Sequence, residues 1–413
     1  MQILKKYSGL INNNSTIFIL INVAISGIGL ARSFVCLKRL DFHDLGFFTI
    51  FQNISFLSSL LQLGIISGAY RISMLDESKG KALNDTLFTF LLITLSVSLL
   101  GATVLSLFYL HFNKIIIFSG ILLGVLSLYS NWLVSTFLAR HKISDLNNIN
   151  LSSAIIAIVS VSLISIFGIY GAIISVAAQP VAFVCISLLK YPNLRPKKLT
   201  LDFKIISKAV SYGFIPFLAG IMFYLNYQIE RWSIAYYIDT ESLGRFFFAG
   251  LYNTIFILVP NSLNTLFFPK SLNHYVNKEY TDLKIVIKKF FVIIIAYGVL
   301  CMIVTSFFMK PVIALFFPNH LDNIQYVYII LPGLIAMSLT LPISLLFNSS
   351  LMLKPILVGY LISVSMTVIL IFSCSHFGYF SLTNVAYIDS IGSIALLIYM
   401  LFAYSKYHSK IWN

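Results

Sequence analysis

Apolar residues run along this chain in long unbroken blocks, and the polar stretches between them are short. Twelve blocks stand out: 15–35, 44–70, 84–110, 115–139, 146–169, 170–190, 207–229, 243–268, 285–309, 323–349, 354–376 and 382–405. A bilayer core of about 30 Å is crossed by roughly 20 apolar residues as a helix. Every block reaches that length. Inside lipid the backbone amides must bond within their own segment, which makes each block a helix. A spanning β-strand would alternate polar and apolar over about 10 residues. Runs such as Phe290-Phe291-Val292-Ile293-Ile294-Ile295 do not alternate. The pattern predicts an all-α polytopic membrane protein with about twelve transmembrane helices. Blocks 146–169 and 170–190 are the hardest to separate, because only Phe167-Gly168-Ile169-Tyr170-Gly171 stands between them.

Lys5 and Lys6 before the first block look like the start of a secretory signal. The apolar run is too long for one and lacks a small-residue cleavage site, so it is read as a retained helix. The longest polar stretch lies at mid-chain, Lys190 to Lys208, where Pro192 and Pro196 stop a helix among basic residues. It predicts a six-helix bundle over 1–190, a basic linker over 191–206 and a second six-helix bundle over 207–413. The halves repeat weakly. Asp41-Phe42-His43-Asp44-Leu45-Gly46-Phe47-Phe48 and Asp239-Thr240-Glu241-Ser242-Leu243-Gly244-Arg245-Phe246 share Asp, Leu, Gly and Phe at the same offsets. Six spans per half is an even number, so the repeat is parallel, about an axis along the membrane normal.

Composition agrees with lipid as the main solvent. Apolar residues make up 59% of the 413 and charged residues only 10%, against about 25% charged in soluble domains. The net charge of +14 would suit nucleic acid, but its distribution rejects that partner. With the N-terminus placed in the cytoplasm, 21 Lys and Arg fall on the cytoplasmic side and 7 on the other, while the acids split 7 and 7. This positive-inside bias puts both termini in the cytoplasm.

Catalytic signatures are absent: no Gly-x4-Gly-Lys-Ser/Thr loop, no Gly-x-Ser-x-Gly, no His-Glu-x-x-His. The expectation is a protein that is not an enzyme and has no cofactor or metal. The histidines (His43, His111, His141, His274, His320, His376, His408) are scattered near helix ends. Cys36, Cys185, Cys301 and Cys374 lie in or near apolar blocks without ligand spacing and read as small hydrophobes.

Candidate chemistry rests on charges at or inside the blocks. Such charges are expensive in lipid and face a bundle interior or a wet cavity. Arg32 ends the first helix. Glu230 and Arg231 end the seventh, at the position 198 residues on. Arg71 and Lys270 end the second and eighth helices, and Arg245 sits just inside the eighth. Arg71, Lys270 and Arg140 also read as side chains reaching to cytoplasmic headgroups. Arg32 and Arg231 run against the charge bias, which points them to a shared cavity. Asp389 lies inside the last helix with Ser390 and Ser393 nearby and no charged neighbour in sequence. It reads either as the ion-coupling group or as a satisfied interhelical polar residue. Pro180, Pro216, Pro260, Pro311, Pro332 and Pro342 fall in or beside blocks and predict bent helices.

One stretch resembles a known family. Tyr212-Gly213-Phe214-Ile215-Pro216, then Asn226-Tyr227-Gln228-Ile229-Glu230-Arg231-Trp232, then Leu243-Gly244-Arg245-Phe246 is similar to the seventh and eighth helices of polysaccharide (O-antigen) repeat-unit flippases of the Wzx type. These belong to the multidrug/oligosaccharidyl-lipid/polysaccharide (MOP) exporter superfamily, whose fold is shared with the MATE transporters. Glu230 stands where the family often has Asp, and Phe246 where it often has Tyr. Arg39-Leu40-Asp41, Leu45-Gly46-Phe47-Phe48 and Leu63-Gly64 resemble the family's second-helix region.

The resemblance implies a flippase that moves an undecaprenyl-diphosphate-linked oligosaccharide by alternating access. The movement is from the cytoplasmic to the periplasmic leaflet of a bacterial inner membrane, for lipopolysaccharide or a related surface polysaccharide. It implies a polysaccharide polymerase and a chain-length regulator as partners, possible coupling to protons or sodium, and a cationic cavity carried here by Arg32 and Arg231. The chemistry fits: arginine binds phosphate bidentately. Tyr224, Tyr227, Trp232, Tyr236, Tyr237 and Tyr252 supply rings for sugar faces or for a membrane interface. Two other readings stand beside it. A multidrug cation antiporter of the same fold would favour cavity acids. An O-antigen polymerase would carry a large periplasmic loop.

Overall fold

The computed structural model describes residues 13–75, 80–108, 113–140, 142–350 and 352–412. Lys5, Lys6, His111, His141 and the last two residues of block 84–110 lie outside them, as do the side chains of Ile215, Pro216, Asn226, Tyr227 and His408. The described chain is helical throughout: α1 (Asn13–Arg39), α2 (Phe42–Leu60), α3 (Ile65–Leu75), α4 (Gly80–Phe108), α5 (Lys114–Ala139), α6 (Ile143–Val161), α7 (Leu163–Lys190), α8 (Phe203–Tyr237), α9 (Thr240–Val276), α10 (Tyr280–Phe316), α11 (Ile324–Ser349), α12 (Leu353–His376) and α13 (Leu382–Trp412). Two short 3-10 turns, Pro192–Leu194 and Pro318–Asn323, join them.

Every apolar block is a helix, with α2 and α3 sharing the second. Among the described residues nine helices are long and apolar enough to cross a membrane, or ten when that bent pair counts as one span. The other two are diluted by polar residues, Asn147, Asn148 and Asn150 in α6 and Lys204, Lys208, Glu230 and Arg231 in α8. The molecule is a multi-pass all-α membrane protein. Helices α9 and α10 each run 37 residues, about 55 Å at 1.5 Å per residue, and so extend beyond their blocks. The blocks stop short of Lys270 and Lys284, but the helical backbone continues through both.

Two sharp breaks come from glycine turns. Helices α2 and α3 meet at 52°, across Leu63 (φ 49°) and Gly64 (φ 81°). In α7, Gly168 adopts φ 56°, ψ −130° and reverses the chain inside the predicted separator. Pro180, Pro260, Pro311, Pro332 and Pro342 sit inside helices that continue past them.

The chain divides into two compact units, Met1–Leu218 and Ala219–Asn413. The division falls inside α8, beyond the basic segment. That segment is fastened to the first unit. Trp132 Nε1 donates to Asn84 Oδ1 (3.0 Å), and Asn84 Nδ2 donates to the Leu194 carbonyl (2.7 Å), all buried. The Lys197 amide donates to Asp85 (2.9 Å). Tyr191 is hydrogen-bonded to Asp145, and desolvation together with that carboxylate pushes its phenol up to about 12. The core of this unit gathers Leu83, Leu128, Trp132, Leu133, Phe137 and Leu146 with Leu194 and Ala209.

The start of α8 packs backbone to backbone on α3. A Cβ on Gly68 would lie 1.7 Å from the Ala209 carbonyl oxygen, and one on Gly213 would lie 1.9 Å from that of Gly64. Arg71 Nη1 ties the same pair of helices, donating to the Tyr212 carbonyl (3.0 Å). Gly68→Val therefore has to push α3 off α8. It is expected to lower stability by about 1–3 kcal/mol or more, read as a lower unfolding temperature of the solubilised protein. Gly101→Ala, with nothing within 4 Å of the new Cβ, is expected to be neutral or slightly stabilising.

In the second unit α11 is the central helix, with 78% of its membrane window buried. Its core joins Phe267, Leu283, Phe290, Leu345, Leu346, Phe347, Leu396 and Met400. The repeated motif has the same role in each half. Asp41 caps α2, accepting from the Asp44 amide (2.7 Å), and Asp239 caps α9, accepting from the Ser242 amide (2.6 Å). Leu45 and Phe48 in one half, and Leu243 and Phe246 in the other, are buried just behind the cap. An N-cap Asp supplies an acceptor to amides the helix leaves unpaired, and the apolar residues behind it fix the helix entry.

Candidate functional site

The second unit brings together two acids that the sequence keeps far apart. Glu230 on α8 is 2% exposed and Asp389 on α13 is 7% exposed. Their carboxyl groups are hydrogen-bonded to each other, and Arg231 acts electrostatically on both. Two acids buried together in this way are costly unless a proton, a cation or an arginine accompanies them.

Close helix packing sets the position of Asp389. A Cβ on Gly333 of α11 would lie 2.5 Å from the Ser390 Cα, so the two backbones touch beside Asp389. Ser390 Oγ donates across that contact to the Ile329 carbonyl (2.6 Å). Ser390, expected to partner Asp389, instead anchors α13 to α11. Ser393 is buried one turn further on. On α8 the guanidinium of Arg231 lies against the α9 backbone, where a Cβ on Gly250 would come within 3.2 Å of Nη2.

Three side-chain atoms within one and a half turns of α8 are buried without a hydrogen-bond partner among the described residues: Gln228 Oε1, Glu230 Oε1 and Trp232 Nε1. Natural interiors leave few such atoms, and a bound water or ion is one of the explanations for each. Gln228 was not singled out by sequence, and Trp232 stood out only as one ring of an aromatic group. A lone amide in an apolar run carries no periodic signal, and indole reads as an interface ring. The unpartnered Glu230 oxygen beside a second carboxyl suits a proton or a small hard cation, which takes oxygen ligands.

The remaining candidates are placed as follows. Arg32 in α1 is half-buried and donates through Nη1 to the Ser175 carbonyl of α7 (3.2 Å). Arg71 is exposed and bonded to Tyr212 as described. Arg245 is ion-paired with Glu241 one turn back (2.8 Å) on the exposed first turn of α9. Lys270 is exposed on the same helix. Of the aromatic group, Tyr236 and Tyr237 stack edge to face (4.9 Å), and Tyr237 meets Phe380 (5.1 Å). Tyr252 turns to α10 and bonds Thr305 Oγ1 (2.6 Å). Away from this region, His274, Glu279 and Asp282 draw together at the exposed α9–α10 turn, with His274 Nδ1 2.7 Å from Glu279 Oε2.

The whole-chain fold has known counterparts. It is similar to lipid II flippase MurJ in its inward closed conformation, with a TM-score of 0.72 and 19% identity over 96% of this chain and 90% of that one. It is also similar to an inward-facing multidrug resistance MATE family transporter of the MOP superfamily, with a TM-score of 0.68 and 14% identity over 92% and 94%. A MATE transporter of Vibrio cholerae, VcmN, gives a TM-score of 0.62 and 13% identity over 97% of each chain. No protein-family model matches the chain, and no curated relative matches it. At these identities the likeness establishes the fold.

Proposed function

We propose that this protein is a flippase for an undecaprenyl-diphosphate-linked oligosaccharide, an O-antigen or related repeat unit. It would move that lipid from the cytoplasmic to the periplasmic leaflet of a bacterial plasma membrane by alternating access, with both termini cytoplasmic. The observation that carries this reading is Arg231 beside the buried Glu230–Asp389 pair. An arginine within a membrane unit suits a diphosphate, and a buried carboxyl pair suits coupling to a proton or sodium gradient. Arg32, half-buried in the first unit, is the second phosphate-binding candidate. The fold likeness to a lipid II flippase supports the same class of substrate. A polymerase and a chain-length regulator would receive the product.

In vesicles containing only the purified protein, a lipid-linked glycan is expected to change leaflet with its mass unaltered. Translocation is read by access of an external lectin or hydrolase, and mass by spectrometry. A lengthened glycan would point to a polymerase, and no translocation would reject the flippase reading. The buried acids also favour a second reading, a multidrug cation antiporter, since such acids attract organic cations. Dye export without glycan translocation in the same vesicles would select it.

A further inference from the structure

The second unit contains a cleft of about 240 Å³ that the Glu230–Asp389 pair does not use. Its polar lining is Asn261 and Asn264 on α9, Ser344 and Asn348 on α11, and Tyr360 on α12, with three aliphatic side chains completing it. No charged group lines it. Amides are costly to bury in a membrane helix bundle unless they are bonded, yet Asn264 Oδ1 is buried and accepts no hydrogen bond from the described residues. Each amide offers two donors and an acceptor, and each hydroxyl offers both roles.

That chemistry defines the ligand. A diphosphate needs cations, and a metal ion or organic cation needs acids. The cleft has neither. An uncharged group rich in hydroxyls and amides matches it on every side. The volume is below the roughly 300–1,000 Å³ of drug-sized sites, so it fits a single sugar ring and excludes a whole oligosaccharide.

Position narrows the ligand further. The cleft uses the second half of α9, the end of α11 and the start of α12. This is the end of the unit that carries Lys270, Lys284, Lys288, Lys289 and Lys354. Lys354 directly follows Leu353, which lines the cleft. An anionic headgroup is therefore drawn to the cleft's edge, and whatever is bonded to it reaches the amides.

We propose that this cleft binds the sugar joined directly to the diphosphate, and so sets which lipid-linked glycans the protein accepts. This rests on the flippase reading. The full-length protein in nanodiscs would be tested for binding to undecaprenyl diphosphate and to undecaprenyl diphosphate bearing one N-acetylhexosamine. Wild type is expected to prefer the sugar-bearing lipid by about tenfold, one or two net hydrogen bonds' worth. Asn264→Leu should remove that preference while leaving affinity for the bare lipid unchanged. Ser344→Ala, a milder change on another helix, should reduce it in part, so the result does not hang on how one variant folds. Equal wild-type affinity for the two lipids, or an equal loss of both in Asn264→Leu, overturns the cleft assignment and leaves the flippase reading standing. Binding of neither lipid above a zwitterionic phospholipid overturns the flippase reading and this inference with it.

Discussion

Asp389→Asn is expected to abolish gradient-driven translocation while leaving downhill exchange between leaflets. The substituted amide is close in size and its N–H still reaches Glu230, so the α8–α13 contact is retained. What it loses is the exchangeable proton, or the negative charge that holds a cation. One charge moved through about 100 mV is worth roughly 2.3 kcal/mol, which shifts a leaflet distribution by up to ~40-fold. Wild type in vesicles should show a bias of that order when a proton or sodium gradient is imposed. Asp389→Asn should show the same distribution with and without the gradient. Glu230→Gln should behave alike, because the two acids share one site. The measurement is the fraction of lipid-linked glycan in the outer leaflet under each gradient in turn. Identical wild-type distributions with and without both gradients would remove the coupling role from this pair.

Arg231→Ala is expected to eliminate surface glycan in cells while the protein stays in the membrane at normal level. Losing charge-assisted hydrogen bonds to a diphosphate costs about 1.5–3 kcal/mol, or ~10- to 100-fold in affinity. A separate substitution tests whether the placement of the guanidinium matters. The Cβ of any residue at 250 lies 3.2 Å from Arg231 Nη2, so Gly250→Val forces the guanidinium aside. It should reproduce the Arg231→Ala defect without touching the arginine, whereas Gly250→Ala should have a small effect. Cells are scored by surface glycan staining, with membrane content measured in parallel. Normal staining in Arg231→Ala would take Arg231 out of the substrate site.

Most of the fold was legible in the residues because lipid imposes a simple rule. A span must be apolar and helical, so hydropathy along the chain locates it. The helices α2 to α13 fall on their blocks for that reason. The repeated Asp-x-x-x-Leu-Gly-x-Phe was legible as a repeat, and its caps at Asp41 and Asp239 supply the cause. Lengths were less legible, since a helix such as α9 continues past the last apolar residue when its far end is charged. The two sharp turns were not legible as turns, because proline is the louder signal in a sequence. The turns formed where Gly64 and Gly168 reach φ values other residues resist.

The candidate site divides along the same line. Sequence alone identified lipid as the solvent, and from that it marked Arg32, Glu230, Arg231 and Asp389 as charges out of place. It gave no means of pairing Glu230 with Asp389. Hydropathy is a local property that reports what surrounds a segment. Which distant segments touch is decided by close packing, here by Gly333 admitting Ser390 until two backbones meet. That contact sets Asp389 against Glu230, and the interhelical packing of α9, α11 and α12 likewise gathers Asn261, Asn264, Ser344, Asn348 and Tyr360 around one cleft. The identity of the charges was written in the sequence; their pairing exists only because the tertiary structure buries them together.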